Sequence, residues 1–206
     1  MEAILDRLVA HSFTLARICG WICGLLLTVS AFLIGLDILL RETIVVTLGG
    51  ANELSGYALA VSSSWGCTVA LVHRMHVRID SVYTHLSARI RALLDIVGLL
   101  AFVYFLLFVT YYAYKVLEQS IESDSHSISA LGAPLAVPQA VWFAGFVVFL
   151  VVAAIYLLRA MVAFAKGDLR RVRELLGARS VEEEMEFEKE SLGLKQGLGL
   201  APRSDK

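Results

Sequence analysis

Apolar residues fall into four long runs, near residues 18–40, 53–72, 92–114 and 140–164, separated by short polar connectors and followed by a charged tail. A helix needs about 20 apolar residues to cross a hydrocarbon core of about 30 Å. The pattern therefore predicts an all-α integral membrane protein with four transmembrane helices. Ahead of the first run, residues 1–17 intersperse Ile4, Leu5, Leu8, Val9 and Phe13 with Glu2, Asp6, Arg7 and His11. That spacing fits an amphipathic helix lying in the interface. The other reading is a frayed start of the first span. Residues 18–164 then form the membrane domain, and residues 165–206 a charged tail.

Composition sharpens this picture. Hydrophobic residues make up 58% of the 206 and charged residues only 18%, against about a quarter charged in soluble domains. The first apolar run is too long for the h-region of a signal peptide, about 7–15 residues, and no clear small-x-small site follows it. It reads as a retained span. Orientation follows from Lys and Arg. The second connector carries Arg74, Arg78, Arg89 and Arg91, and the tail opens with Lys166, Arg170, Arg171 and Arg173. The first connector has only Arg41 and the third only Lys115. Both termini and the second connector are expected to face the cytoplasm.

The second span is unusual in its small residues. Ala58, Ser62, Gly66 and Ala70 follow one another at four-residue spacing, with Ser55, Ser63 and Cys67 beside them. In lipid, helices associate through close backbone approach and interhelical hydrogen bonds. This row, with Trp65, is the expected helix-packing or subunit interface; serines bonding back to the preceding turn is the plainer alternative. A polar cluster is expected near the outer face, where Asp37 pairs with Arg41 and Glu53 opens the second helix at a similar depth. At the inner face Arg74, His76, Arg78, Asp80, Arg89 and Arg91 are expected to anchor the chain. Pro134 and Pro138 are expected to prevent regular helix before the fourth span. In the tail, Leu169, Val172, Leu175 and Leu176 among basic residues suit anionic headgroups, and the run of glutamates from Glu182 to Glu190 reads as a solvated segment.

Little points to chemistry. Cys19, Cys23 and Cys67 lie in apolar spans, where an odd number argues against a disulfide framework. Among His11, His73, His76, His85 and His126, none falls in mid-span, and no ligand set for a metal or haem surrounds them. There is no phosphate-binding GxxxxGK[ST] loop, no HExxH and no GxSxG. The expectation is a chain with no catalytic residue, no cofactor, no metal and no nucleic-acid partner.

One order of features is more specific. Arg41 closes the first span, GANEL follows at residues 50–54, the small-rich span holds Trp65 and Gly66, and RMHVRID ends it at residues 74–80. This resembles the small, DctQ-type membrane subunit of tripartite ATP-independent periplasmic (TRAP) transporters, over roughly residues 18–164. Glu53, Trp65, Gly66, His76, Val77, Ile79 and Asp80 carry the resemblance, with residues 131–138 at the entry to the fourth span. The resemblance implies a multi-pass subunit of the bacterial inner membrane. It would brace a large permease subunit in ion-driven, sodium-coupled uptake of an organic acid anion delivered by a periplasmic binding protein. A membrane anchor of a respiratory or redox complex is the rival reading.

Overall fold

The computed structural model describes residues 2–75, 86–129 and 131–177. The architecture is all-helical: α1 (Glu2–Ile44), α2 (Ala51–Val72), α3 (Ala88–Glu122), α4 (Ala136–Ala165) and the short α5 (Leu169–Leu176). No strand occurs among the described residues, only an isolated bridge between His126 and Pro134. His76, Arg78, Asp80, His85 and the acidic tail lie outside the described residues.

Among the described residues three helices, α1, α3 and α4, are long and apolar enough to cross a membrane. α2 has the length, at 22 residues, but its serines, glycines and Trp65 dilute its apolarity. Residues 2–17 do not form a separate helix. α1 runs unbroken for 43 residues, about 64 Å at 1.5 Å per residue, or twice the hydrocarbon thickness. Its buried positions are Val9, Ser12, Ala16, Cys19, Cys23 and Ser30. These alternate at three and four residues, with Leu26 completing the series, so α1 shows its neighbours a narrow seam of mostly small side chains. Trp21, Leu25 and Phe32 point away from it and are highly exposed. The two buried cysteines are part of this packing, and all three are free thiols.

α4 is the hub of the bundle, in contact with each of the other four helices, while α1 pairs mainly with α2 and α3 with α4. Phe149, Val152, Ala153, Tyr156, Ala160 and Ala163 form its buried surface. Around them gather Ala92, Ile96, Leu99 and Leu106 of α3, with Leu71 and Val72 of α2. The third connector is shorter than expected. α3 continues in helix beyond Tyr114 to Glu122, supported by Lys115 Nζ to Glu118 Oε2 at 2.6 Å. α4 begins before Pro138, which sits in its first turn. There a missing N–H costs nothing, because the first four amides of a helix have no carbonyl partner within it.

Three helices stop in the same way. After α2, Arg74 adopts a left-handed φ of 55°; its amide bonds to Leu71 O, and that of Met75 reaches Ala70 O. Asp124 after α3 and Gly167 after α4 repeat the pattern. This is the Schellman arrangement, which satisfies carbonyls the helix end would leave bare.

Candidate functional site

The small-residue row of α2 does not form one contact surface. Ala58 and Ser62 are buried, and Ser62 Oγ lies 3.5 Å from Cys23 O of α1. Gly66 is different: a Cβ built there would meet nothing within 4 Å. Ala70 is only partly buried. Four residues turn a helix through slightly more than one revolution, so such a row drifts by about 40° per step. Its start therefore faces α1 and its end swings onto the open face, alongside exposed Leu59 and Ser63.

The close approach is made one residue away from that row. Gly145 of α4 lies against Ser64 and Trp65; a Cβ there would come within 2.7 Å of Trp65 Cδ1 and run into Ser64 Oγ. Ser64 and Thr68 are almost fully buried on this side. The Trp65 indole N–H donates to Val141 O at 3.0 Å. Glycine here lets two backbones approach where hydrophobic drive between helices is weak. Ser64 Oγ also bonds back to Val61 O at 3.0 Å, and Ser63 Oγ to Ala60 O at 2.8 Å.

Among the described residues no hydrogen bond or ion pair joins Asp37, Arg41 and Glu53. The Asp37 carboxylate accepts from the Leu48 amide at 2.6 Å and the Thr47 hydroxyl at 3.0 Å. It closes the loop after α1 in place of the expected pairing with Arg41. The Glu53 carboxylate accepts instead from Tyr57 within α2 and from Ser129 of the third connector. Beside it, Gly50 has φ +128°, and a Cβ there would run into Leu131. The third connector thus meets the first at Gly50 and the start of α2 at Glu53.

At the opposite end Arg74 donates to Gly177 O at 3.4 Å. Arg89 is exposed and Arg91 partly buried, both within the first turn of α3. The strongest polar feature there has no counterpart in the sequence reading. Arg159, buried inside α4, donates Nε to Asp6 Oδ1 at 2.8 Å and Nη2 to Oδ2 at 3.3 Å. Arg171 of α5 reaches the same Oδ1 at 3.1 Å and Glu174 at 3.0 Å. Glu174 and then Asp6 hold the Arg171 guanidinium above its already high ordinary pKa. An arginine within an apolar run was the available signal, since such a residue needs a partner. α5 is preceded by Asp168, whose side chain caps it by accepting from the Arg171 amide at 3.0 Å. It buries Val172, Leu175 and Leu176. The apolar face expected on lipid headgroups packs on the bundle, leaving Arg170 outermost.

The arrangement is one of packed helices, docked loops and ion pairs. Among the described residues no group of three or more His, Cys, Asp or Glu side chains is placed to hold a metal ion. A family model, the DctQ component of tripartite ATP-independent periplasmic transporters, matches residues 30–163. The chain belongs to this family. Comparison with curated proteins and with solved structures gave no match. As a DctQ-family member with apolar helices able to span a bilayer, the chain is an inner-membrane component of a TRAP transporter. The match takes in the α2–α4 contact and the docked connectors. It begins after Asp6 and ends before Arg171, so the tie between the chain's two ends lies partly beyond it.

Proposed function

We propose that this chain is the small, non-catalytic subunit that braces the large permease subunit of a TRAP transporter. Uptake would be driven by an ion gradient, that of sodium, and would carry an organic acid anion delivered by a periplasmic binding protein. The observation that carries this reading is the family match over residues 30–163, from within α1 through almost all of α4. In this reading α2 is a fourth span, both termini and the second connector face the cytoplasm, and residues 165–206 form a cytoplasmic tail. The polar residues of α2 are no obstacle, because α1 and α4 cover two of its sides.

The same reading divides the small-residue row. Ala58 and Ser62 hold α2 to α1, Trp65 holds it to α4, and Gly66 and Ala70 are left to meet the large subunit. His76, Arg78, Asp80, Arg89 and Arg91 anchor the inner rim. A bundle tied through one helix suits a brace: α4 contacts all the others, and the loops at the Glu53 end are held by Glu53 and Gly50.

The test is reconstitution in liposomes with a sodium gradient. Uptake should require this chain, the large subunit and the binding protein together, and this chain alone should move nothing. Transport by the chain alone, or full activity without it, would overturn the reading.

A further inference from the structure

Where α1, α2, α4 and α5 meet at the Arg74 end of the bundle, they enclose a cavity of about 190 Å³. It can hold several water molecules, at a liquid share of about 30 Å³ each. Its walls are of two kinds. Val9, Val72 and Leu175 make one apolar side, and Phe13, 46% exposed, carries that side out to the surface. Tyr156, Arg74, Arg171 and Glu174 make the polar side.

Tyr156 is the informative residue. It is 2% exposed, and its hydroxyl has no hydrogen-bond partner among the described residues. A buried hydroxyl is ordinarily bonded, because an unmet one keeps its full desolvation cost. Arg171 is committed to Asp6 and Glu174, so Glu174 is neutralised within the wall. Arg74 also lines the cavity, and its Nη1 donates to Gly177 O at 3.4 Å. The site thus offers a hydroxyl donor and a guanidinium beside an apolar slope that leads outward at a helix-bundle end. Basic pockets between membrane helices bind anionic lipid headgroups for this reason.

We propose that this cavity binds a phosphate group, that of an anionic phospholipid, with the Tyr156 hydroxyl and the Arg74 guanidinium as donors. The acyl chains run outward past Phe13. The lipid then fills the junction of α1, α2, α4 and α5 and joins the N-terminal segment to the bundle alongside the Asp6–Arg159 pair.

The full-length chain, purified in neutral detergent, is titrated with phosphatidylglycerol, with phosphatidylcholine and with inorganic phosphate, and bound lipid is counted by native mass spectrometry. Wild type should retain one phosphatidylglycerol in preference to phosphatidylcholine. Tyr156→Phe, which removes an unbonded oxygen and so should fold at least as well, should weaken retention roughly tenfold, as should Arg74→Gln. Equal retention by wild type and Tyr156→Phe would overturn the site, as would equal retention of the two lipids. Thermal stabilisation of wild type but not Tyr156→Phe by inorganic phosphate, without retained lipid, would support the phosphate chemistry and overturn the lipid source.

Discussion

Arg159 holds Asp6 in a two-point grip, Nε on Oδ1 at 2.8 Å and Nη2 on Oδ2 at 3.3 Å, across 153 residues of chain. The arginine side chain is 8% exposed and the aspartate 39%. The pair fastens the start of α1 to the hub helix, and Arg171 adds a strand of the same knot from α5. A buried guanidinium is tolerable only while its partner stays in place.

Removing that partner should therefore cost more than removing the pair. Asp6→Ala should destabilise the chain by about 1–3 kcal/mol, below the value for a fully buried pair because Asp6 is partly solvated. Asp6→Ala with Arg159→Met should recover much of the loss. Thermal unfolding of the purified variants checks this; a double variant no better than Asp6→Ala would contradict it.

Two glycines in the same layer should behave oppositely. Gly145→Ala pushes a methyl into Ser64 and Trp65 and should cost about 1–3 kcal/mol, the usual range for overpacking. Gly66→Leu has nothing within 4 Å of its new Cβ, so the isolated chain should fold as before. If Gly66 meets the large subunit, Gly66→Leu should still reduce recovery of the intact complex. Melting curves and co-purification separate the two effects.

Gly50 is favoured by its φ of +128°, and an added Cβ would also have to displace the end of the Leu131 side chain. Gly50→Ala should destabilise by roughly 1–3 kcal/mol, the range for strained backbone. Gly50→Ala with Leu131→Ala removes the collision and leaves the dihedral strain, so rescue should be partial. Complete rescue would show that space alone matters there.

Glu53 pins the third connector through Ser129. Glu53→Ala should loosen residues 123–135 while leaving α2 intact, and limited proteolysis should cut that connector faster than in wild type. Glu53→Gln keeps an acceptor oxygen and should fall between the two. Unchanged cleavage in Glu53→Ala would show that the connector is held elsewhere.

The membrane class, the all-helical fold and the family were legible in the residues. All of them depend on hydropathy, periodicity or motif order, which are properties of local sequence. The helix ends at Glu122 and Ala136 were less legible. Pro138 reads as a breaker in isolation, yet a first-turn position makes it harmless.

What the chain alone could not settle was which side chains meet. The four-residue row on α2 looks continuous in one dimension, but helical drift splits it between α1 and open space. Asp37 lies four residues from Arg41 and bonds instead to Thr47 and Leu48, because the loop folds back onto it. The partners of Glu53, Gly145 and Arg159 are 76, 80 and 153 residues away, by number for Ser129, Trp65 and Asp6. Local composition makes α1, α3 and α4 apolar enough to cross a bilayer. The pairings arose only when α4 packed at the centre, since contact between distant residues is decided by how the helices fill space together.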